Sequence, residues 1–203
     1  TENAYKKNIQ SNGGSGFFVS AGGLAVTNYH SIEDGIYGTV TLVTGETFPI
    51  TKVLFYDPEI DIAVVKVSRT PTDGRTTSGF KYLEMVGTAD VRPGDRVYSL
   101  GNPLGGGLAV SEGVVSATER EVPGYSWPCV MNTADISKGS SGGALMNIYG
   151  QVIAVTTGAY AQGNSMYLGV PVDPVMEADL TKESWTLEEV ARIEQSKIEP
   201  ARA

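Results

Sequence analysis

The sequence predicts an all-β chain, built as two six-stranded antiparallel β-barrels with a short helical segment at the C-terminal end. Three observations carry this expectation. Short runs rich in β-branched and aromatic residues recur along the chain, each bounded by Gly, Pro, Asp or Asn. A polar, turn-rich stretch, RTPTDGRTTSG, parts these runs into two halves of similar size. Helix-start signals occur only after residue 172.

In the first half the candidate strands are 16–20 (GFFVS), 24–28 (LAVTN), 38–42 (GTVTL), 47–56 (TFPITKVLFY) and 62–68 (IAVVKVS). The segment 69–90 separates them from the second set, which runs 96–100, 109–117, 129–133, 144–146, 152–157 and 166–171. The expected organisation is one domain, with an N-terminal barrel over 1–88, a C-terminal barrel over 89–172 and a helical tail over 173–203. In that tail Asp173 offers an N-cap with Pro174 at the first helical position. Thr186 and Glu189 have the spacing of a capping box, and Leu187, Val190 and Ile193 form an apolar stripe behind it.

Composition narrows the function. The 203 residues are 41% hydrophobic and 19% charged, enough for a core and too apolar for global disorder. The net charge is −8, and no Lys/Arg cluster exceeds Lys6-Lys7, which argues against nucleic acid or an anionic membrane as the main partner. No window approaches ~18 consecutive apolar residues, so no membrane insertion is expected within this segment. The chain opens at Thr1 with no apolar signal region, so a processed or trimmed chain is expected, its targeting segment lying outside this sequence. Cys129 is the single cysteine and His30 the single histidine, which excludes an intrachain disulfide and zinc centres built on several cysteines or histidines. No metal or organic cofactor is expected.

Three places can carry chemistry. His30 ends an apolar strand and opens the polar turn HSIEDG, where a side chain can face a cleft instead of a core. Asp61 lies directly against the apolar run IAVV, although Asp57 already serves the Asp-Pro turn. A carboxylate so placed needs a strong donor, which an imidazole N–H can provide. The stretch ISKGSSGGAL holds a G-x-S-G-G pattern over residues 139–143. Glycines around a nucleophile let backbone N–H groups converge on the oxyanion of a tetrahedral intermediate. Serine also needs a base within ~3 Å, and His30 is the only histidine on offer.

With His, Asp and Ser in that order, the sequence resembles trypsin-like serine proteases of the HtrA (Deg) type. The matching stretches are GSGFFVSAGGLAVTNYHSIEDG, DPEIDIAVVKV, GDRVYSLGNPLGGGLAVSEGVVSA and NTADISKGSSGGALMNIYGQVIAVTTG, which cover most of 14–171. The resemblance implies a chymotrypsin-like double barrel and a serine endopeptidase. His30 is then the general base, Asp61 its orienting partner and Ser141 the nucleophile, with the oxyanion hole on the N–H groups of Gly139 and Ser141. It also implies protein or peptide substrates, an extracytoplasmic location, a homotrimer, and loops that order on activation, here 102–107 and 119–127. A catalytically silent peptide-binding or scaffold protein on the same fold is the alternative.

The chain departs from the family in two respects. About thirty residues follow Pro171, too few for the peptide-binding PDZ domain such proteins commonly carry. Asp135 lies six residues before Ser141, where HtrA proteins usually have a small apolar residue. It either selects Lys or Arg in the substrate or is a solvated, locally hydrogen-bonded carboxylate with no selectivity. The other expected pocket residues are Thr157, Gly158, Tyr160 and Gly169.

Overall fold

A computed structural model describes residues 13–102, 107–159 and 165–198. Its eleven strands coincide with the eleven runs read from the sequence. In the first half, β1 (Gly16–Phe18), β2 (Leu24–Thr27), β3 (Thr39–Thr41), β4 (Thr47–Asp57) and β5 (Ile62–Val67) form one antiparallel sheet in the order β1-β2-β5-β4-β3. In the second, β6 (Arg96–Gly101), β7 (Ala109–Arg120), β8 (Cys129–Asn132), β9 (Ala144–Met146), β10 (Val152–Ala159) and β11 (Tyr167–Pro171) close into a barrel ordered β10-β11-β8-β7-β6-β9. The result is a double barrel of the chymotrypsin-like kind, its second half closed. Its first half is a five-stranded half-barrel among the described residues, with β1 and β3 as edges.

β5 shows how the halves join. It is central in its sheet and buried along almost its whole length. Successive side chains on a strand point to opposite faces. Ile62 and Val64 therefore pack into a cluster with Cys129, Met131, Val155 and Val170 of the barrel. Ala63, Val65 and Val67 face the other way, into a cluster with Phe48, Val53 and Phe80. The barrel interior is filled by Val97, Val115, Val130, Leu145 and Ile153. The apolar cluster between the halves is thus continuous with a strand whose opposite face is the core of the first sheet.

The connection 69–90 takes part in both halves. Phe80 is buried, stacks on Phe18 at 4.1 Å and meets Phe48 edge-on at 5.1 Å. Further on, Val152 N donates to Glu84 O and Val86 N to Val152 O, which ties the same segment to the barrel.

Two helices follow the barrel. α1 (Asp173–Glu177) begins one residue earlier than the sequence predicts, with Val172 at the N-cap and no side-chain cap. Asp173 is drawn away from capping because its carboxylate accepts from both N and Oγ1 of Thr88, at 3.2 Å each. α2 (Leu187–Ile198) has the expected capping box: Glu189 N donates to Thr186 Oγ1 at 3.1 Å, and Thr186 N to Glu189 Oε2 at 2.7 Å. Leu187 and Val190 bury against the first sheet. Trp185, just before α2, exchanges backbone hydrogen bonds with Val53 of β4 at 2.7 and 2.9 Å. The chain end therefore returns to the half that began it.

The burial of Phe80 sets a test of the connection. Phe80→Ala should lower unfolding free energy by about 3–5 kcal/mol, measured by urea denaturation, although this residue lies outside every strand and helix.

Candidate active site

His30 sits in a single 3₁₀ turn, Tyr29–Ser31, directly after β2. The turn is anchored by Tyr29, which is buried and stacks on Tyr56 with ring centroids 5.9 Å apart. His30 itself stays exposed. Asp61 ends the β4–β5 turn with φ +57, a left-handed conformation rarely adopted by a residue other than glycine. Asn28, fully buried, donates from Nδ2 to the Asp61 carbonyl at 2.8 Å and holds the turn there. Asp57 serves its own turn by accepting from Glu59 N at 2.9 Å, as its place before Pro58 implied.

Asp61 grips His30 at two points. Oδ1 accepts from His30 N at 2.9 Å, and Oδ2 pairs with Nδ1 at 2.8 Å. An ionised carboxylate only accepts, so Nδ1 carries the proton and Nε2 of the neutral ring is left as a base. Hydrogen bonding to Asp61 is the main cause of a His30 pKa above its ordinary value; burial opposes it, and the charges of Asp61 and Glu33 add to it. Oδ2 has a second donor, Thr157 Oγ1, at 2.9 Å.

Ser141 lies in the connection between β8 and β9. Ser137 is exposed and Ser140 buried, so Ser141, half-buried, is the serine of the motif able to meet a ligand. Its hydroxyl donates to the Thr157 carbonyl at 3.0 Å, and no hydrogen bond joins it to His30. Thr157 thereby bonds to both Asp61 and Ser141, so Ser141 and the Asp61 carboxylate that holds His30 meet on one residue of β10. Ser15 holds the loop from the first half: Ser15 N donates to Ser141 O and Ser15 Oγ to Gly139 O, each at 2.7 Å. The N–H groups of Gly139 and Ser141 have no acceptor among the described residues.

The glycines of this loop are required for a reason the sequence did not disclose. Gly142 has φ +89, and a Cβ there would lie 2.1 Å from the Ser15 carbonyl oxygen. A Cβ on Gly143 would lie equally close, 2.1 Å, to the Leu100 carbonyl oxygen. Neighbouring backbone occupies the space, which is a packing constraint and not only one on ligand approach.

The expected pocket residues divide. Asp135 is exposed, and hydrogen bonding to it raises the Tyr167 phenol above its ordinary pKa. Gly158 faces open space, with nothing within 4 Å of a built Cβ. Gly169 is buried and faces Ala154 and Leu145 of the barrel interior. Thr157 is a bonding hub, and Tyr160 lies outside the described residues, as do 103–106 of the loop 102–107. Sequence reasoning missed Ser15, Asn28 and the bonding role of Thr157. Their partners lie 124, 33 and 96 residues away, so no local pattern signals them. Among the described residues no group of three or more His, Cys, Asp or Glu side chains could hold a metal ion.

Comparison with known proteins gives this arrangement a family. A model described as "Trypsin-like peptidase domain" matches residues 14–155. The chain belongs to the trypsin-like peptidase domain family. It is 36% identical over 160 residues to the "Probable periplasmic serine endoprotease DegP-like" of Chlamydia pneumoniae, covering 77% of this chain and 30% of that protein. A relative of the same name from Bartonella henselae is 35% identical over 149 residues, covering 73% and 28%. Among solved structures, "HtrA-type protease AlgW with decapeptide" superposes with a TM-score of 0.69 at 27% identity, over 81% of this chain and 49% of that one. The "serine endoprotease from Yersinia pestis" gives 0.66 at 26%, over 81% and 55%. This trypsin-like domain thus spans under a third of those curated relatives and about half of those solved chains.

The raised His30 pKa fixes the sign of a pH effect. A histidine whose pKa is higher folded than unfolded adds stability that is full below the unfolded value and fades as pH rises through the folded one. The stability advantage of the native protein over His30→Ala in urea should therefore be larger at about pH 5.5 than at about pH 8.5.

Proposed function

We propose that this domain is a serine endopeptidase that hydrolyses peptide bonds through a Ser141–His30–Asp61 triad and an acyl-enzyme. The observation that carries the proposal is the two-point grip of Asp61 on His30, which fixes the ring and leaves Nε2 as the base. In the resting site the Ser141 hydroxyl points to Thr157 O. The proposed mechanism requires a rotation about its side-chain bond, fast on the scale of turnover, that turns it from Thr157 to Nε2.

Ser141 Oγ then attacks the scissile carbonyl while its proton passes to His30 Nε2. The carbonyl oxygen becomes an oxyanion, and the N–H groups of Gly139 and Ser141, which have no acceptor among the described residues, are the proposed donors to it. Ser15 supports that role by occupying the carbonyls of the same two residues. His30 returns the proton to the departing amine; a water, deprotonated by His30, then attacks the acyl carbonyl, and His30 gives that proton to Ser141 Oγ as the acid leaves. Because the base must be neutral and its pKa is raised, turnover falls on the acid side as pH drops through a value above that of ordinary histidine.

The relatives' names place them in the periplasm, and the same extracytoplasmic setting is proposed here, with protein segments in extended form as substrates. No helix among the described residues is long and apolar enough to cross a membrane. We assign Asp135 no selectivity, since it stands exposed and its carboxylate is engaged by Tyr167.

Two experiments test these assignments. A fluorophosphonate probe should label the native protein and not Ser141→Ala, whose kcat should fall by about 10⁴-fold or more; failure to label the native chain would favour a silent scaffold. Peptides cleaved after Lys or Arg should be turned over no faster than those cleaved after Val or Leu, and a clear preference for the basic pair would assign Asp135 to the pocket floor.

A further inference from the structure

Thr157 Oγ1 has two neighbours at 2.9 Å, Asp61 Oδ2 on one side and the Tyr125 hydroxyl on the other. A threonine hydroxyl has one proton to give. Asp61, as a carboxylate already accepting from His30, has none. The Thr157 proton therefore goes to Asp61, and the bond to Tyr125 must run from the phenol to Thr157. The hydrogen count alone fixes a directed chain: Tyr125 O–H to Thr157 Oγ1, Thr157 O–H to Asp61 Oδ2, with His30 Nδ1–H on the same carboxylate oxygen.

We infer that Tyr125 is a positioning residue of the proposed triad, holding the Thr157 hydroxyl so that its proton is committed to Asp61. Tyr125 comes from the connection between β7 and β8, and its neighbour reinforces the contact: Ser126 N donates to Glu59 O at 3.0 Å, two residues before Asp61. The connection thus braces the Asp61 turn from the barrel side by one backbone bond and one side-chain relay. Burial raises the pKa of the Tyr125 phenol, so it remains a donor at any pH at which the site is used. With Phe at this position, the lone pair of Thr157 Oγ1 loses its donor and the hydroxyl is free to turn from Asp61.

The inference rests on the triad assignment only for its meaning in catalysis. Its test does not, because His30 is the only histidine of the chain. One imidazole resonance titrates in the NMR spectrum, and it needs no assignment. Each donor to Asp61 disperses the carboxylate's charge, so removing one strengthens its hold on protonated His30 and raises the midpoint. The other charges facing His30, Asp61 itself and Glu33, are the same in every variant.

Thr157→Val removes a direct charge-assisted bond and should raise the His30 midpoint by about 1 pH unit. Tyr125→Phe acts one bond further away, through polarisation of Thr157, and should raise it by about 0.3 pH unit. In the Thr157→Val background, Tyr125→Phe should shift nothing, and in Thr157→Ser, which keeps the hydroxyl, it should shift His30 as in the native protein. The acid limb of kcat/KM should move with the resonance.

An unchanged midpoint in Tyr125→Phe, or the same shift with and without the Thr157 hydroxyl, overturns the inference. If Thr157→Val does not fold, Tyr125→Phe in the native and Thr157→Ser chains still decides it. Loss of the triad assignment would show instead as a native protein that titrates as described yet takes up no fluorophosphonate, so the two failures are distinct.

Discussion

The carboxylate of Asp61 accepts three hydrogen bonds from the two halves of the molecule: two from His30 in the first, one from Thr157 in the second. A charge pressed against an apolar strand is tolerable only when its oxygens are so satisfied. The strand that follows, β5, alternates its faces between the inter-half cluster and the core of the first sheet. A slip of one residue in its pairing would exchange those faces and turn the carboxylate from both partners. Register in one strand and alignment of the site are therefore the same constraint.

The loop carrying Ser141 obeys a similar economy. Ser15, from the edge strand's approach, holds the carbonyls of Gly139 and Ser141, while Thr156 N donates to Gly143 O at 2.9 Å and the single proton of Thr156 Oγ1 is left for Ser140 O at 3.0 Å. With those carbonyls occupied by the protein, the N–H groups of residues 139 and 141 have no acceptor among the described residues. Glycines at 142 and 143 are obligatory because backbone oxygens of Ser15 and Leu100 fill the places where side chains would be.

Much of this was legible in the sequence, and the reasons differ by element. All eleven strands were, because each is a β-rich run ended by a turn former. The capping box at Thr186 and Glu189 was, because its chemistry is complete within four residues. The half-barrel form of the first half was not, since strand count within a sheet depends on pairing. Asp173 was misplaced by one position because Thr88, 85 residues away, competes for its carboxylate. His30, Asp61 and Ser141 stood out by residue type and setting, whereas Ser15 and Tyr125 are ordinary turn residues until the fold brings their partners.

The return of the C-terminal residues to the first sheet has a consequence for biosynthesis. Lys52 Nζ reaches Ser184 Oγ at 3.1 Å across 132 residues, beside the pairing of Val53 with Trp185, and α2 supplies Leu187 and Val190 to the first core. The first sheet is thus completed by residues made 132 positions after its own Lys52. Part of its core is missing until α2 has left the ribosome. Folding of that sheet therefore cannot be finished in the order of its synthesis.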